Sequence, residues 1–226
     1  MHVVPIPCLT DNYAYWLPEI GVVIDPSEAA PVLAALDGAP LRAIWATHHH
    51  PDHVGGVPEL AERFRGLRVF GSPIRPFPGL TDALADGGEV DGARVIGVPG
   101  HTLGAVAFHF TAGDGEVFVG DTLFAMGCGR LFEGDAAMMV ASLSRLRDLP
   151  GTTQVWYGHD YAGKNLAFTD SVLPCVRTPA PPPGTIEEER ETNLFLRWDD
   201  PKVADAVGAP EGVQTFAALR SKRDRF

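Results

Sequence analysis

Short apolar runs alternate with turn residues from the start of the chain to about residue 160. Runs of β-branched and aromatic residues bounded by glycine and proline are typical of strands. They predict strands at 22–24, 42–47, 68–70, 94–98, 105–108, 117–119 and 154–157. Apolar residues at helical spacing predict helices at 28–36, 54–64 and 135–148, with Ser27 and Asp135 as N-caps of the first and third. Strands interleaved with helices predict a layered α/β or α+β domain.

The pattern changes after residue 160. A helix is predicted at 164–173, and the proline-rich segment 178–184 that follows suits neither helix nor strand. Thr185 and Glu188 then have the spacing of a capping box at the start of another helix, and a last short helix covers about 213–222. We therefore predict a main domain over 1–161 and a small helical domain over 162–226.

Composition narrows the classes of protein that the chain can represent. Apolar residues make up 45% of the 226 positions, which is enough for a sizeable core. The net charge of −11 gives no general attraction for nucleic acid or for an anionic membrane, so an anionic ligand needs a local positive site. The three cysteines predict neither disulfides nor a thiolate site. With no signal-peptide pattern at the start and no apolar run of membrane-spanning length, we expect a cytoplasmic monomer.

A cluster of metal-ligand residue types follows the strand predicted at 42–47. The run from Thr47 reads Thr-His-His-His-Pro-Asp-His. Alternate residues leaving a strand point the same way, so His48 and His50 can converge on one ion. Asp52 and His53, which follow a proline, can turn toward a neighbouring position. Three imidazoles and a carboxylate suit borderline metals such as zinc, iron or manganese, and so many titratable groups serve no core.

Three further ligand types each follow a strand and a glycine. They are His101, Asp121 and His159, which come directly after Gly100, Gly120 and Gly158. Each histidine alone would be interpreted as an ordinary surface residue. Beside the cluster at 48–53 all three become predicted ligands of a site that holds two ions, with the carboxylate as a candidate bridge. The remaining histidines, at positions 2, 49 and 109, are interpreted as ordinary polar residues.

These motifs resemble the metallo-β-lactamase superfamily. The resemblance is carried by His-x-His-x-Asp-His at 48–53, Gly-His-Thr at 100–102, Gly-Asp-Thr at 120–122 and Gly-His at 158–159. It implies a four-layer αββα sandwich, with the metals at one edge of the two sheets and a small helical domain at the carboxyl end.

Finer motifs resemble glyoxalase II, the hydroxyacylglutathione hydrolase family, over nearly the whole chain. They are Asp-Asn-Tyr at 11–13, the segments 120–124, 127–130 and 132–134, Gly-His-Asp-Tyr at 158–161 and Arg-Asp-x-Phe at 223–226. The resemblance implies that one metal binds His48, His50 and His101. It implies that the other binds Asp52, His53 and His159, and that Asp121 and a hydroxide bridge the two. Glutathione would be held by Arg130, Tyr161, Arg220 and Arg223.

The same resemblance implies an activity and a cofactor. The reaction would be hydrolysis of S-D-lactoylglutathione to D-lactate and glutathione, the second step of methylglyoxal detoxification. Asp52 and Asp121 would act through the metal-bound hydroxide, and the cofactor would be two divalent ions, zinc first, with iron or manganese as alternatives.

The chain departs from the family pattern at several positions. Arginine replaces the usual lysine at Arg130 and Arg223, and Phe132 replaces a common tyrosine. Leu194 stands in the middle of the usual Asn-Pro-Phe. The stretch 173–185 is shorter than usual by about one helix. The packing of the helical tail and its glutathione contacts therefore do not carry over directly from the family.

Three other functions remain open at this point. A β-lactam or lactone hydrolase of the same superfamily is disfavoured, because many such lactamases use cysteine where this chain has Asp121. A mononuclear iron persulfide dioxygenase shares the scaffold and also uses glutathione. A non-catalytic metal-binding protein would not need the basic end, at 220–225, which in that case would be solvated charge alone.

Overall fold

The structure is a computed structural model that describes residues 1–178 and 180–226. Two six-stranded sheets form its centre. The first contains, in spatial order, β1 (Val4–Cys8), β2 (Asn12–Leu17), β3 (Val22–Ile24), β4 (Ala43–Trp45), β5 (Arg68–Gly71) and β6 (Asp82–Ala83). The strands that follow along the chain are β7 (Glu89–Val90), β8 (Ala93–Gly97), β9 (Val106–Phe110), β10 (Glu116–Gly120), β11 (Leu123–Phe124), β12 (Gly127–Cys128), β13 (Gln154–Tyr157) and β14 (Gly184–Thr185). The second sheet has the order β14-β13-β10-β9-β8-β7, and β11 pairs with β12 as a separate hairpin.

Helices cover the outer face of each sheet. They are α1 (Ala29–Leu36), α2 (Pro51–Val54), α3 (Val57–Arg63), α4 (Ala136–Arg147), α5 (Ala162–Val172), α6 (Ile186–Thr192), α7 (Pro201–Val207) and α8 (Val213–Arg223), with a 3₁₀ turn at Leu194–Leu196. In the part of the chain that the structure describes, none of these helices combines the length and apolarity needed to cross a membrane.

Alternation along the strands explains the layers. In β4, Ala43 and Trp45 belong to the core between the two sheets, whereas Ile44 belongs to the core between the first sheet and its helices. Successive side chains of a strand point to opposite faces, so one short strand contributes to both cores. A third core joins the second sheet to α4, where Met139 and Leu143 are fully buried, and to the tail. The predicted αββα sandwich is confirmed.

Most predicted elements are confirmed, and two local details are wrong. Asp135 caps α4 by accepting a hydrogen bond from Met138 N, and the capping box at Thr185 is present. Ser27, however, is not the cap of α1: Glu28 occupies that position and makes no side-chain cap hydrogen bond. The helix predicted at 54–64 is divided into α2 and α3.

Two glycines lie at the division between α2 and α3, where the chain packs closely against another segment. A Cβ atom on Gly55 would lie 2.6 Å from Ser27 O, and one on Gly56 would lie 2.9 Å from Pro26 O. Gly56 N also donates to Pro26 O at 2.9 Å. The two glycines therefore let the chain after the histidine cluster pack directly against the backbone that follows β3, which places the ligands of α2 beside that strand end.

The tail is integrated with the main domain. Strand β14 extends the second sheet by pairing with β13, and the apolar residues of α6, of the 3₁₀ turn and of α8 share the core that contains Met139. The domain boundary at residue 161 stays a prediction. Within the predicted proline-rich link, Pro179 lies outside the described residues.

A buried carboxylate holds this tail against the second sheet. Glu189 of α6 is fully buried, and each of its oxygens accepts two hydrogen bonds. The donors to Oε1 are Tyr157 Oη at 2.9 Å and Arg177 Nη1 at 2.6 Å, and those to Oε2 are Met126 N and Asn193 Nδ2, both at 2.9 Å. Arg177 comes from the shortened stretch 173–185, so this link contributes a buried ion pair to the packing of the tail.

Candidate metal centre

The predicted ligands lie together at one edge of the sandwich, just past the ends of several strands. His48 and His50 follow β4, and His53 lies in α2. His101 follows β8, Asp121 follows β10 and His159 follows β13, while Asp52 precedes His53 in α2. The structure thus brings all seven residues into one site, although they come from four separate segments of the chain.

The seven residues form two groups with a carboxylate between them. One ligand atom from each of His48, His50 and His101 lies within 4.8 Å of the others, and the same holds for Asp52, His53 and His159. Asp121 contacts both groups. Its Oδ1 lies 3.1 Å from His53 Nε2, and its Oδ2 lies 3.5 Å from His101 Nε2 and 3.4 Å from His159 Nε2. This is the position that a bridging carboxylate needs.

Glycine permits this close approach. A Cβ atom on Gly158 would lie 2.5 Å from Asp121 Oδ1 and 2.8 Å from His53 Cε1. The backbone just before His159 therefore runs directly against two other predicted ligands, and any larger residue at 158 would separate the strands that carry them.

Hydrogen bonds to the ring nitrogens determine which atom each histidine presents to the centre. Four rings have an oxygen within hydrogen-bond distance of Nδ1: Thr47 Oγ1 for His48 (3.1 Å), Asp25 Oδ2 for His53 (2.9 Å), Arg130 O for His101 (2.8 Å) and Asp11 Oδ1 for His159 (3.0 Å). The carboxylate and carbonyl oxygens among them only accept, so Nδ1 carries the proton and Nε2 is left as the free lone pair.

Nitrogen atoms of the two groups then lie close to one another. His53 Nε2 lies 3.3 Å from His159 Nε2, and His101 Nε2 lies 3.1 Å from His50 Nδ1. His48 Nε2 is buried and has no hydrogen-bond partner among residues 1–178 and 180–226. Lone pairs at these distances repel unless a cation or a proton lies between them. The donor set therefore fits two metal ions, held by imidazole nitrogen and carboxylate oxygen.

The pKa shifts of the ligand cluster also indicate that positive charge is favoured there. Burial lowers the pKa of His48 and His101, which keeps those rings neutral. Burial also opposes charge on His53 and His159, but Asp121 and the carboxylates beside them raise the pKa of His53 and bring that of His159 to about 10. His53 and His159 in turn hold the pKa of Asp121 well below its usual range despite its burial.

Metal binding at neutral pH should therefore release protons. With a pKa of about 10, His159 is protonated in the metal-free chain at pH 7, and an imidazole must lose that proton before its lone pair can bind an ion. We expect the metal affinity to rise with pH up to this pKa, by about tenfold per unit for each proton released. Calorimetry in two buffers with different ionisation enthalpies measures the number of protons. Equal binding heats in both buffers would contradict the prediction.

A basic cavity of about 260 Å³ adjoins the ligand cluster. Its lining includes all four residues that the family resemblance implies as glutathione contacts: Arg130, Tyr161, Arg220 and Arg223. A second cavity of about 390 Å³ lies over the ligands themselves. The two share four lining residues: His101, Asp121, Phe132 and Tyr161. A ligand can therefore lie in the basic cavity and reach the predicted metal ligands without leaving the protein surface.

The four residues differ in how freely they can bind a ligand. Arg220 is buried, donating from Nη1 to Cys128 O at 2.9 Å and from Nη2 to Asp224 Oδ1 at 2.8 Å. Arg130 is about half exposed and also contacts Asp224. Arg223 is partly buried and contacts Asn165 Oδ1 at 3.2 Å. The ring of Tyr161 stacks on His159 with a centroid distance of 4.8 Å.

Two histidines that were interpreted as ordinary polar residues lie outside both ligand groups. His49 is not in either group and lies 3.8 Å from Glu133, while His109 is buried in β9. Sequence reasoning missed Asp25 and Asp11, whose carboxylate oxygens lie within hydrogen-bond distance of His53 Nδ1 and His159 Nδ1. The signal for Asp25 was available, because it follows a buried strand directly, as Asp121 does.

Comparison with known proteins agrees with this geometry. Residues 177–226 match the family model described as hydroxyacylglutathione hydrolase C-terminus, and residues 7–69 and 65–159 match that of the metallo-beta-lactamase superfamily. The chain is 47% identical to a hydroxyacylglutathione hydrolase of Gloeobacter violaceus, over 96% of this chain and 97% of that protein. It is 45% identical to one of Synechococcus sp. (strain JA-2-3B'a(2-13)), over all of both proteins. That alignment spans 253 positions, so the relative has residues that this 226-residue chain lacks.

Solved structures share the fold. A crystal structure of TTHA1623 in a di-iron-bound form has a TM-score of 0.68 and 32% identity, over 87% of this chain and 100% of that one. ETHE1 from Myxococcus xanthus has a TM-score of 0.70 and 25% identity, over 99% of this chain and 98% of that one. With the family models, the two relatives and the ligand geometry in agreement, the chain belongs to the hydroxyacylglutathione hydrolase family of the metallo-beta-lactamase superfamily.

Proposed function

We propose that this chain hydrolyses the thioester of S-(2-hydroxyacyl)glutathione, chiefly S-D-lactoylglutathione, to glutathione and a 2-hydroxy acid. It would do so with two divalent ions, zinc first and iron or manganese as alternatives. The observation that carries the proposal is the shared wall between the two cavities, because it joins an arginine-lined cavity to a complete set of metal ligands. Glutathione is anionic, and a chain with a net charge of −11 can attract it only through such a local basic surface.

The residues of the basic cavity would bind and orient the glutathione moiety. Arg130 and Arg223 are the best placed to contact its carboxylates, since a guanidinium can form two parallel hydrogen bonds to a carboxylate. Tyr161 and Phe132 line both cavities, so they would border the thioester where it passes from one cavity to the other. Phe132 is 61% exposed and can cover bound substrate without leaving a core.

The ligand cluster would carry out the chemistry. His48, His50 and His101 would hold one ion, Asp52, His53 and His159 the other, and Asp121 both. When bound, the ions supply Lewis acidity, which polarises the thioester carbonyl and lowers the pKa of water toward 7. A hydrogen bond with His159 holds the pKa of Asp52 well below its usual range, so both Asp52 and Asp121 are carboxylates that can accept a hydrogen bond from attacking water. A thiolate is a good enough leaving group to need no separate acid.

The direct test combines two measurements on one sample. Elemental analysis should find two ions per chain, and S-D-lactoylglutathione should be converted to free thiol and D-lactate in equal amounts. A fully loaded chain with one ion would contradict the two-metal site. A loaded chain with two ions that leaves the thioester intact would contradict the proposed activity.

A persulfide dioxygenase, which would share this scaffold and also use glutathione, is the second candidate, because a basic cavity beside one histidine group would serve it as well. Persulfide oxidation consumes oxygen, whereas thioester hydrolysis does not. We expect no oxygen uptake when the loaded chain is given glutathione persulfide. The complete second ligand group at Asp52, His53 and His159 favours the hydrolase.

Replacing Arg223 with alanine should raise KM for the glutathione thioester and leave kcat nearly unchanged. The side chain is remote from the reacting carbonyl, so it should stabilise the bound substrate and the transition state alike. Losing one charge-assisted contact costs roughly 1.5–3 kcal/mol, or about 10- to 150-fold in KM. Steady-state kinetics on the glutathione thioester and on a small thioester without the peptide measure the effect.

The control for Arg223 is Arg225→Ala. Arg225 is exposed, contacts Ser221 at the end of the same helix and does not line the basic cavity. It should leave KM for both substrates unchanged. Equal damage to both substrates in Arg223→Ala would indicate a misfolded tail, and an unchanged KM would show that its charge is only solvated. Arg220→Ala is a poorer test, because the buried guanidinium also holds Cys128 O.

A further inference from the structure

A single carboxylate outside the ligand set connects the two groups of ligands. Asp25 follows β3 and is buried. Its Oδ1 accepts a hydrogen bond from Thr47 N at 2.7 Å, and its Oδ2 lies 2.6 Å from Thr47 Oγ1 and 2.9 Å from His53 Nδ1. Three donors therefore surround the two oxygens. A metal ion at Asp25 would have to displace them, so Asp25 is not itself a ligand, although it lies close to His48 and His53.

The direction of each hydrogen bond around Asp25 is fixed by chemistry. A carboxylate only accepts, so the hydroxyl hydrogen of Thr47 points to Asp25 Oδ2. Thr47 Oγ1 must then accept from His48 Nδ1, which lies 3.1 Å away. His53 Nδ1 donates to Asp25 directly. The protons on both rings are thereby held at Nδ1, and both Nε2 atoms are left free for metal.

We propose that Asp25 is a positioning residue that sets the tautomer of one histidine in each metal group, directly for His53 and through the Thr47 hydroxyl for His48. This inference rests on the proposed two-metal site. It means that one buried carboxylate determines the affinity of both ions, so the two positions are connected on the protein side as well as through Asp121.

Replacing Asp25 with asparagine should reverse the hydrogen bonds in both branches, the direct one to His53 and the one through Thr47 to His48. Thr47 N–H still needs an acceptor, so the amide oxygen must take the position of Oδ1 and the amide nitrogen that of Oδ2. The new NH₂ group then donates to His53 Nδ1 and to Thr47 Oγ1, whose own hydrogen turns toward His48 Nδ1. Both rings would carry the proton on Nε2, where it blocks coordination. Asp25 has φ of 49°, a conformation that asparagine also tolerates, so the fold should survive.

The experiment measures how much metal each variant retains as a competing chelator is added. The wild-type chain should lose its two ions with two midpoints. Asp25→Asn should weaken both by about 10- to 100-fold, the usual effect of removing a partner behind a metal ligand. Thr47→Val removes only the branch to His48 and keeps the backbone hydrogen bond to Asp25, so it should shift one midpoint alone. Thr47→Ser keeps the hydroxyl, so both of its midpoints should match those of the wild type.

The matched control is Asp11→Asn. Asp11 is also within hydrogen-bond distance of a ligand, at 3.0 Å from His159 Nδ1, but its side chain is 30% exposed. No second side-chain bond to Asp11 is present among the residues that the structure describes, so an asparagine there can turn its oxygen toward His159. We expect its midpoints to stay within a few-fold of the wild type.

The outcomes separate this inference from the proposed function. A wild-type chain with two ions and an Asp25→Asn chain with unchanged midpoints would overturn the inference and leave the function standing. If Thr47→Val shifted both midpoints equally, the claim that Asp25 acts on His48 and His53 by two separate branches would be wrong. If Asp25→Asn does not fold, Thr47→Val and Thr47→Ser still decide between these results. A wild-type chain that holds fewer than two ions would contradict the proposed function first.

Discussion

Replacing Asp121 with alanine should lower the kcat/KM of thioester hydrolysis by at least about 1000-fold. Loss of one preorganised group at a reacting centre costs on the order of 10²–10³ in kcat, and this carboxylate faces both ligand groups. Its Oδ1 lies 3.1 Å from His53 Nε2 and its Oδ2 lies 3.5 Å from His101 Nε2. The metal content should therefore fall together with the activity. Elemental analysis and steady-state kinetics on the same preparation measure both.

The control for Asp121 is an aspartate at the other end of the same strand. Asp114 precedes β10, as Asp121 follows it, and its side chain is exposed. Asp114→Ala should keep full activity and both ions. If Asp121→Ala retained two tightly bound ions and more than about a tenth of the activity, the bridging position of this carboxylate would be wrong.

The metal centre could be predicted from the sequence because its signal is local. His48, His50, Asp52 and His53 occur within six positions directly after a strand, and the spacing itself places them on two sides of the chain. His101 and Asp121 are isolated in the sequence, and they were predicted as ligands only because the cluster at 48–53 was present. Their convergence depends on the pairing of the two sheets, which residue spacing does not contain. It was the family resemblance that implied it.

The first strand shows a different limit. β1 contains Pro5 and Pro7, and proline is unusual inside a sheet because it cannot donate a backbone hydrogen bond. The segment was not predicted as a strand. It lies at the edge of the first sheet, where only β2 pairs with it and both prolines are exposed. Whether a strand is central or at an edge is a property of the whole sheet, so local propensity could not decide the matter.

The residues that support the ligands were harder to foresee than the ligands. Asp25 follows β3 in the same way that Asp121 follows β10, but a lone aspartate before a proline also predicts a turn. Its role becomes visible only when Thr47 and His53 lie within 3 Å of its oxygens. Positioning residues of this kind act through another side chain, so residue type and spacing contain little information about them.

The tail was predicted as helices, but the way it is held was not. An acidic run at 187–189 is favourable in the first turn of a helix because of the helix dipole, and Glu187 and Glu188 are both exposed, as that role requires. Glu189 instead points inward. Its neighbours in sequence give no hint of this, because its partners come from β13, from the loop between β11 and β12, and from the link that contains Arg177.

Replacing Glu189 with alanine should lower the free energy of unfolding by about 3–5 kcal/mol, the cost of removing one partner of a buried ion pair. Arg177 would remain largely buried and lose its closer charge partner, with Glu188 Oε2 left at 3.7 Å. Tyr157 Oη and Met126 N would each lose an acceptor. For a chain of this size the melting temperature should fall by roughly 6–20 °C. Thermal unfolding of the metal-loaded chain measures the change. Activity at low temperature should fall far less than in Asp121→Ala, because Glu189 contacts none of the proposed metal ligands.

The matched control is Glu191→Ala, on the same helix two positions further along. Its side chain is exposed, and removing an acid near the carboxyl end of a helix should be neutral or slightly stabilising. Arg177→Leu tests the same ion pair by removing the positive partner, and it should also destabilise the tail. If Glu189→Ala and Glu191→Ala melted at the same temperature, the hydrogen bonds to Glu189 would not be what holds the tail. The apolar contacts of α6 and α8 with the core that contains Met139 would then have to account for its attachment.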